Sequence, residues 1–480
     1  MKQTNTRTNR REFLWHWGGG LGGVALAHML GQQGMLAETP RPRPEFDGGL
    51  HHKARAKRVV QLFMSGAASQ VDTFDYKPAL IQRNGQPFDP GEKVELFQSN
   101  PGPVMASPWE WTRHGQCGKW VSSLVPNIAA QADEIAFLHS MIAKSNVHGP
   151  ATFMQNNGFV LPGYPSMGAW LSYGLGSMNE DLPTFVVLPD VRGFPPNGPG
   201  NWQAGFLPAA HQATMIRVGR ENPIHDLFPP DTADYVTPAS EIATLSVLEK
   251  LNRNHEERSG GDSLLEARIQ SYEMAAKLQL SAPDVLDISG ETAATRKLYG
   301  VDDKTTQDFG TRCLVARRLL ERGVRFVQVW SGADNGFPRR NWDSHENIAK
   351  DHANMAAEMD RPTAALIQDL KERGLLEDTI VYWTTEFGRM PCSQGSLGRD
   401  HNPFAFTSWL AGGGVRGGVS YGASDEWSYK AVENPIYCYE VHATVLHLLG
   451  IDHTRLTFRH NGIDRRLTDV HGHVIEEIVA

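Results

Sequence analysis

Compact apolar runs recur along the chain, and between them lie stretches whose apolar positions follow a helical stripe. "RVVQLFMSG" (58–66) is a continuous β-branched and apolar run closed by small residues. That is the pattern of a strand buried on both faces of a parallel sheet. "EIAFLHSM" (134–141) and "PTFVVLP" (183–189) read the same way, as do "VRFVQVW" (324–330) and the start of "IVYWTTEFG" (380–388). Helices closed by glycine are expected over "GPATFMQNNG" (149–158) and "PSMGAWLSYGLG" (165–176), because glycine takes the left-handed conformation that ends a helix. "TRCLVARRLLERG" (311–323) carries an apolar stripe and feeds the fourth strand. A long helix beginning at "HANMAAEMDRPTAALIQDLKERG" (352–374) feeds the fifth, and "YEVHATVLHLLGID" (439–452) is helical near the end. This alternation predicts an α/β fold with a mostly parallel central sheet and helices on both faces.

Residues 190–300 interrupt the rhythm. "DVRGFPPNGPGNWQAGFLPAAHQ" is rich in Pro, Gly and Asn, and a charged helical pattern from "EIATLSVLEKLNRNHEER" follows it. The segment reads as a large insertion beside the sheet, since α/β connections are ordinarily short. At the amino terminus, "NRREFLWHWGGGLGGVALAHMLGQQGMLAETP" places Arg10 and Arg11 before a weakly apolar Gly/Ala/Leu stretch and a small residue, Ala37. Residues 1–37 therefore read as a twin-arginine signal peptide, with a basic arm and short buried helix as the alternative. The stretch is too short and glycine-rich for a membrane span. Residues 38–57 form a Pro-rich, charged linker, and 58–480 one large domain. The expected location is periplasmic or secreted, with the twin-arginine translocase as the export partner.

Composition adds exclusions. With 40% hydrophobic and 21% charged residues among 480, the chain is globular in character, and its formal charge of −8 leaves no basic face for nucleic acid. The four cysteines are far apart, without a C-x-x-C pair, so neither a disulfide framework nor a cysteine zinc site is expected.

In an open parallel sheet, reactive groups gather beyond the carboxyl ends of strands. The first strand is followed by Ser65, Ser69, Asp72 and Asp75, and the second by Ser145, Asn146, His148 and Thr152. The fourth is followed by Asp334, Asp343, His345 and His352, and the fifth by Glu386, Arg389, Arg399, Asp400 and His401. Asp, Glu and His converging on one crevice are the ligands a divalent ion requires. Each also has a plain structural use. Glu386 is placed to pair with Arg389, Asp72 to sit in a turn, Asp343 to cap the next helix, and His352 to ride a solvated helix face. His442 and His447 lie in an apolar helix and are expected to be packed.

Several segments resemble the sulfatase and alkaline-phosphatase-like superfamily. "DRPTAALIQDLKERGLLEDTIVYWTTEFG" resembles its Asp-led helix, turn and metal-bearing strand. "HGPATFMQNNG" resembles its nucleophile stretch, with Pro150 and Gly158 in register, and "HATVLHLLGID" its closing helix. The leader together with "LFMSGAASQVDTFDYKP", "WDSH", "TEFGR", "GRDHNP" and "LTDVHGH" is similar to the exported family catalogued as domain of unknown function 1501, of planctomycete type and often labelled sulfatase. The resemblance implies an alkaline-phosphatase-like three-layer α/β fold. It also implies a metal-dependent hydrolase of phosphate or sulfate esters, on a small-molecule or polysaccharide substrate. Its divalent ion (Zn, Mn or Ca) would be held by Asp72, Asp343, His345, Glu386 and His401. His148 stands where the superfamily has Cys, Ser or Thr, so His148, Thr152 or water is the implied nucleophile, and Arg389 or Arg399 is the group that meets a non-bridging oxygen. Two other readings of the same fold are a non-catalytic extracytoplasmic binding or surface protein, and a metal-dependent mutase or lyase.

Overall fold

The computed structural model describes residues 50–97, 100–220, 283–333 and 339–480, with a few isolated positions between them. The described residues fall within one compact unit, Phe46–Ala480. The expected signal segment, most of the linker, the helical part of the insertion and Asp334 lie outside them.

An eight-stranded sheet forms the middle layer. Its strands in chain order are β1 (Arg58–Met64), β2 (Ile135–Met141), β3 (Phe185–Leu188), β4 (Thr214–Met215), β5 (Phe326–Ser331), β6 (Thr379–Thr384), β7 (Phe406–Ala411) and β8 (Ser420–Tyr421). Across the sheet they run β8-β2-β7-β6-β1-β5-β3-β4. All neighbours pair in parallel except at β7, which is antiparallel to both β2 and β6. The five strands expected from sequence are β1, β2, β3, β5 and β6. The apolar run at β7 was not among them, because no helix separates it from the preceding strand and the helix–strand alternation passes over it.

Apart from the short edge strands β4 and β8 the strands are almost fully buried, and their period of two sorts their side chains into two cores. Val60, Leu62 and Met64 of β1 face one side, packed with Leu314, Leu320, Met355 and Leu366. These come from α3 (Gln307–Glu321) and α4 (Ile348–Glu372). Val59 and Phe63 face the other side with Trp170, Leu171, Val441 and Val445. Those belong to α2 (Met167–Leu175) and α5 (Cys438–Leu448). The result is a three-layer α/β arrangement. The expected glycine stops occur at Gly158 (φ +79°), after α1 (His148–Asn157), and at Gly176 (φ +62°), after α2.

α1 differs from the other helices in what it turns toward the sheet. Asn156 accepts from Gln328 of β5 at 2.6 Å, and Gln328 also donates to Gln61 of β1 at 2.9 Å. Buried amides of this kind must be paired, so they fix the seating of α1 more sharply than apolar contact does. His148, the first residue of α1, is thereby held over the carboxyl edge of the sheet.

Candidate metal centre

The centre is assembled from the ends of β1, β5 and β6 and the start of α1. β1 ends in a tight turn, Ser65-Gly66-Ala67, with φ of +107° at Gly66 and +68° at Ala67. A Cβ on Gly66 would lie 2.5 Å from the Asp343 backbone nitrogen, so only glycine lets the loop after β5 approach this closely. Trp342 N–H donates to the Ser65 carbonyl at 2.9 Å and pins that loop in place. A second loop returns His401 to the same point. Residues 401–402 pair antiparallel with 388–389 just beyond β6, and a Cβ on Gly398 would collide with the His345 carbonyl at 1.8 Å. The two loops after β5 and β6 are therefore pressed together with His345 and His401 between them.

Three imidazoles meet one carboxylate oxygen. Asp343 Oδ1 lies 2.9 Å from His345 Nε2, 3.3 Å from His148 Nε2 and 3.4 Å from His401 Nε2. His345 and His401 approach each other at 3.0 Å through the same Nε2 atoms. Each ring is gripped from behind at Nδ1 by an oxygen. His148 meets Glu386 Oε1 at 2.6 Å, His401 donates to the Asn146 carbonyl at 2.7 Å, and His345 contacts Gln394 Oε1. An acceptor at Nδ1 holds the ring proton there and leaves Nε2 as the ligating atom, the arrangement that supports histidine ligands of metals. Phe97 stacks on His401 with centroids 4.7 Å apart and planes within 10°.

The charges around Asp343 are distributed on both of its oxygens. Arg389 donates to Oδ1 at 2.7 Å and Arg339 to Oδ2 at 2.8 Å. Burial works to raise the Asp343 carboxyl, but Arg389 and the facing histidines outweigh it and hold it well below the usual carboxylate range. Burial pushes His401 down to about 3, so that ring is neutral. For His148 burial acts in the same downward direction. Its hydrogen bonds to Asp343 and Glu386 overcome this and raise it.

His148, Asp343 and His401 offer ligand atoms that all lie within 4.8 Å of one another, and His345 Nε2 faces the same oxygen. A set of three imidazole nitrogens and one carboxylate oxygen suits zinc, manganese or a similar ion. The centre opens on a cleft of about 340 Å³ lined by Phe97, Val147, His148, Pro196, Arg339 and His401 among others.

The other expected site residues have different surroundings. Glu386 is fully buried behind His148, its Oε1 taken by His148 Nδ1 and by the Gly66 N–H at 2.8 Å. It orients the His148 ring and is not among the residues that line the cleft. Asp72 lies in a buried pair with Arg399, at 2.8 Å to Nε and 3.2 Å to Nη2, and Ser69 donates to it at 2.5 Å. With its oxygens occupied there, it is not among the converging atoms. Arg389 is fully buried and donates to the Ala67, Arg399 and Gly66 carbonyls as well as to Asp343. The Arg389 and Arg399 guanidiniums are both fully buried, and neither residue lines the cleft. Thr152 is fully buried in α1 and is not among the residues that line the cleft. His148 stands among the converging ligand-type atoms.

His352 is also fully buried, where a solvated face was expected: its Nε2 accepts from the Ser69 N–H at 3.0 Å. α4 is capped by Asn347 and not by Asp343. All four cysteines are free. Sequence reasoning missed Arg339 and Phe97. Arg339 had a local signal, four residues before Asp343, whereas Phe97 comes from a distant loop and had none.

The chain is similar in structure to a sulfatase from Pseudoalteromonas sp. (13% identity, 85% of this chain and 72% of that one, TM-score 0.34). It is also similar to a phosphonate monoester hydrolase of Agrobacterium radiobacter (13%, 82% and 74%, TM-score 0.32) and to an alkaline phosphatase from the Antarctic bacterium TAB5 (12%, 82% and 98%, TM-score 0.31). At these scores the likeness assigns neither substrate nor reaction. No curated protein matches the chain in sequence. The model of the family described as "Protein of unknown function (DUF1501)" matches residues 56–479, nearly all of the described unit, and the chain belongs to that family.

Proposed function

We propose that this protein is an exported, metal-dependent hydrolase of phosphate or sulfate esters, with its centre at His148, Asp343, His345 and His401. The observation that carries the reading is the convergence of three Nε2 atoms on Asp343 Oδ1, each ring fixed from behind at Nδ1. Imidazole nitrogens and a carboxylate oxygen aimed at one point are the donors a divalent ion takes. A divalent cation bound there would supply Lewis-acid polarisation of an ester oxygen. The chain's own residues do the rest. Glu386 keeps the His148 proton on Nδ1, Arg389 and Arg339 hold Asp343 ionised, and Phe97 and Val147 add apolar surface to the cleft lining.

None of the described residues lining that cleft carries a hydroxyl or thiol, so we assign the attacking group to water. The same observation favours, as the second reading, a non-catalytic binding protein on the same fold. Export rests on the twin-arginine pattern, with passage through the corresponding translocase.

The test is turnover of aryl phosphate, aryl sulfate and phosphodiester esters by the mature chain, stripped with chelator and then reloaded with zinc, manganese or calcium. Activity should vanish on stripping, return on reloading and be absent from Asp343→Asn. Full turnover by the stripped chain, or none by any reloaded form, would overturn the hydrolase reading. In the second case metal retention alone would favour the binding protein.

A further inference from the structure

A second cleft, of about 710 Å³, lies beyond the carboxyl end of β3 and is lined by Asp190, Arg192, Phe194, Arg217 and Arg220 among others. Its three arginines are not equivalent. Arg192 is consumed by Asp190, at 2.8 and 2.7 Å, and by Glu358 at 2.9 Å. Arg217 and Arg220 have no carboxylate partner among the described residues. The Arg217 guanidinium lies 5.3 Å from the centroid of the Phe194 ring, and Arg220 donates to the Val191 carbonyl at 3.1 Å. On a chain of net charge −8, two exposed guanidiniums that pair with no carboxylate among the described residues, on a wall whose acidic member Asp190 is already taken by Arg192, are a local reversal of sign. A guanidinium stacked on a ring keeps its in-plane N–H donors available, and those donors match the paired oxygens of sulfate, phosphate or carboxylate.

This cleft adjoins the histidine centre. Phe194 lines one and Pro196 the other, and two residues of extended chain span at most about 7 Å. The shared wall is also anchored beside His148: Asn197 Nδ2 donates to the Gly149 carbonyl at 2.7 Å.

Resting on the ester-hydrolase reading above, we propose that the substrate is a polyanion. One anionic ester would sit at the histidine centre while Arg217 and Arg220 hold a second sulfate, phosphate or carboxylate of the same molecule. A ligand with both groups gains from the second contact without a second loss of translational freedom, so it binds more tightly than a simple monoester.

The probe pair is a heparin-derived sulfated hexasaccharide and a monosulfated monosaccharide, titrated calorimetrically into the metal-loaded chain. The hexasaccharide should bind at least about tenfold more tightly, and Arg217→Ala/Arg220→Ala should abolish that advantage. Arg459→Ala/Arg465→Ala, which removes the same charge from residues that line neither cleft, should preserve it. Equal affinities for the two sugars, no binding of the hexasaccharide, or an advantage that survives loss of Arg217 and Arg220, would overturn the proposal. Ester turnover is scored separately. Arginine-dependent binding without turnover overturns the hydrolase reading and leaves the second cleft standing, and turnover without arginine-dependent binding does the reverse.

Discussion

At the scale of single residues, the distinction that matters is between side chains that face the cleft and side chains that hold them. Glu386 belongs to the second group. Glu386→Gln keeps an oxygen near His148 but removes the charge, so metal affinity should fall about 10- to 100-fold while saturation remains reachable at high metal. Isothermal titration of the stripped chain reads both quantities, and an unchanged affinity would contradict the positioning role. Gly66 is a backbone counterpart. Gly66→Ala adds a Cβ at φ +107° and 2.5 Å from the Asp343 nitrogen, and should cost about 3 kcal/mol in a denaturant titration. The sequence brought Asp343, His345, His148 and His401 onto one candidate list because strand ends share a crevice. It could not sort ligands from supports, since whether Glu386 meets a metal or a ring depends on a residue 238 positions away.

Among elements, the loops after β1, β5 and β6 act as one unit, braced by the buried Asp72–Arg399 pair as well as by hydrogen bonds. Both side chains are fully buried, and their separation in sequence is 327 positions, which is why the pair was invisible before the fold was known. Removing one partner leaves a buried charge uncompensated, so Asp72→Asn or Arg399→Met should destabilise the chain by about 3–5 kcal/mol. The double variant Asp72→Leu/Arg399→Met should recover much of that loss, as measured by urea midpoints. A double variant as unstable as the sum of the singles would mean that the two side chains act independently. β7 illustrates a different limit of the sequence. Its apolar run is as strand-like as the others, but the rule of alternation that identified its neighbours requires a helix between strands.

For the whole molecule, the buried histidines set a response to acid. Burial holds His211 and His442 at about 4 and His352 at about 3, below the ordinary value of 6.5. The unfolded chain therefore binds more protons than the folded one between these values, and the stability contributed by these rings is complete above pH 6.5 and is lost as pH falls toward 4. His148, whose value is raised, acts in the opposite direction but is a single group. Urea midpoints taken from pH 7 to pH 4.5 should decline steadily, and a flat profile would show that the buried rings are not held neutral. The layered α/β plan was readable from the apolar runs because burial on both sheet faces demands them. The polar bed beneath α1 and the stacking of Phe97 on His401 were not, since neither leaves a periodic trace. What joins these scales is the point where three imidazoles meet Asp343, at which we propose a cation. The most direct test is the metal content of the mature chain after reconstitution and removal of free metal, determined by mass spectrometry beside Asp343→Asn and His401→Ala. About one divalent ion per wild-type chain, with loss from both variants, is the predicted result; a metal-free wild type, or an ion retained equally by all three, would contradict it.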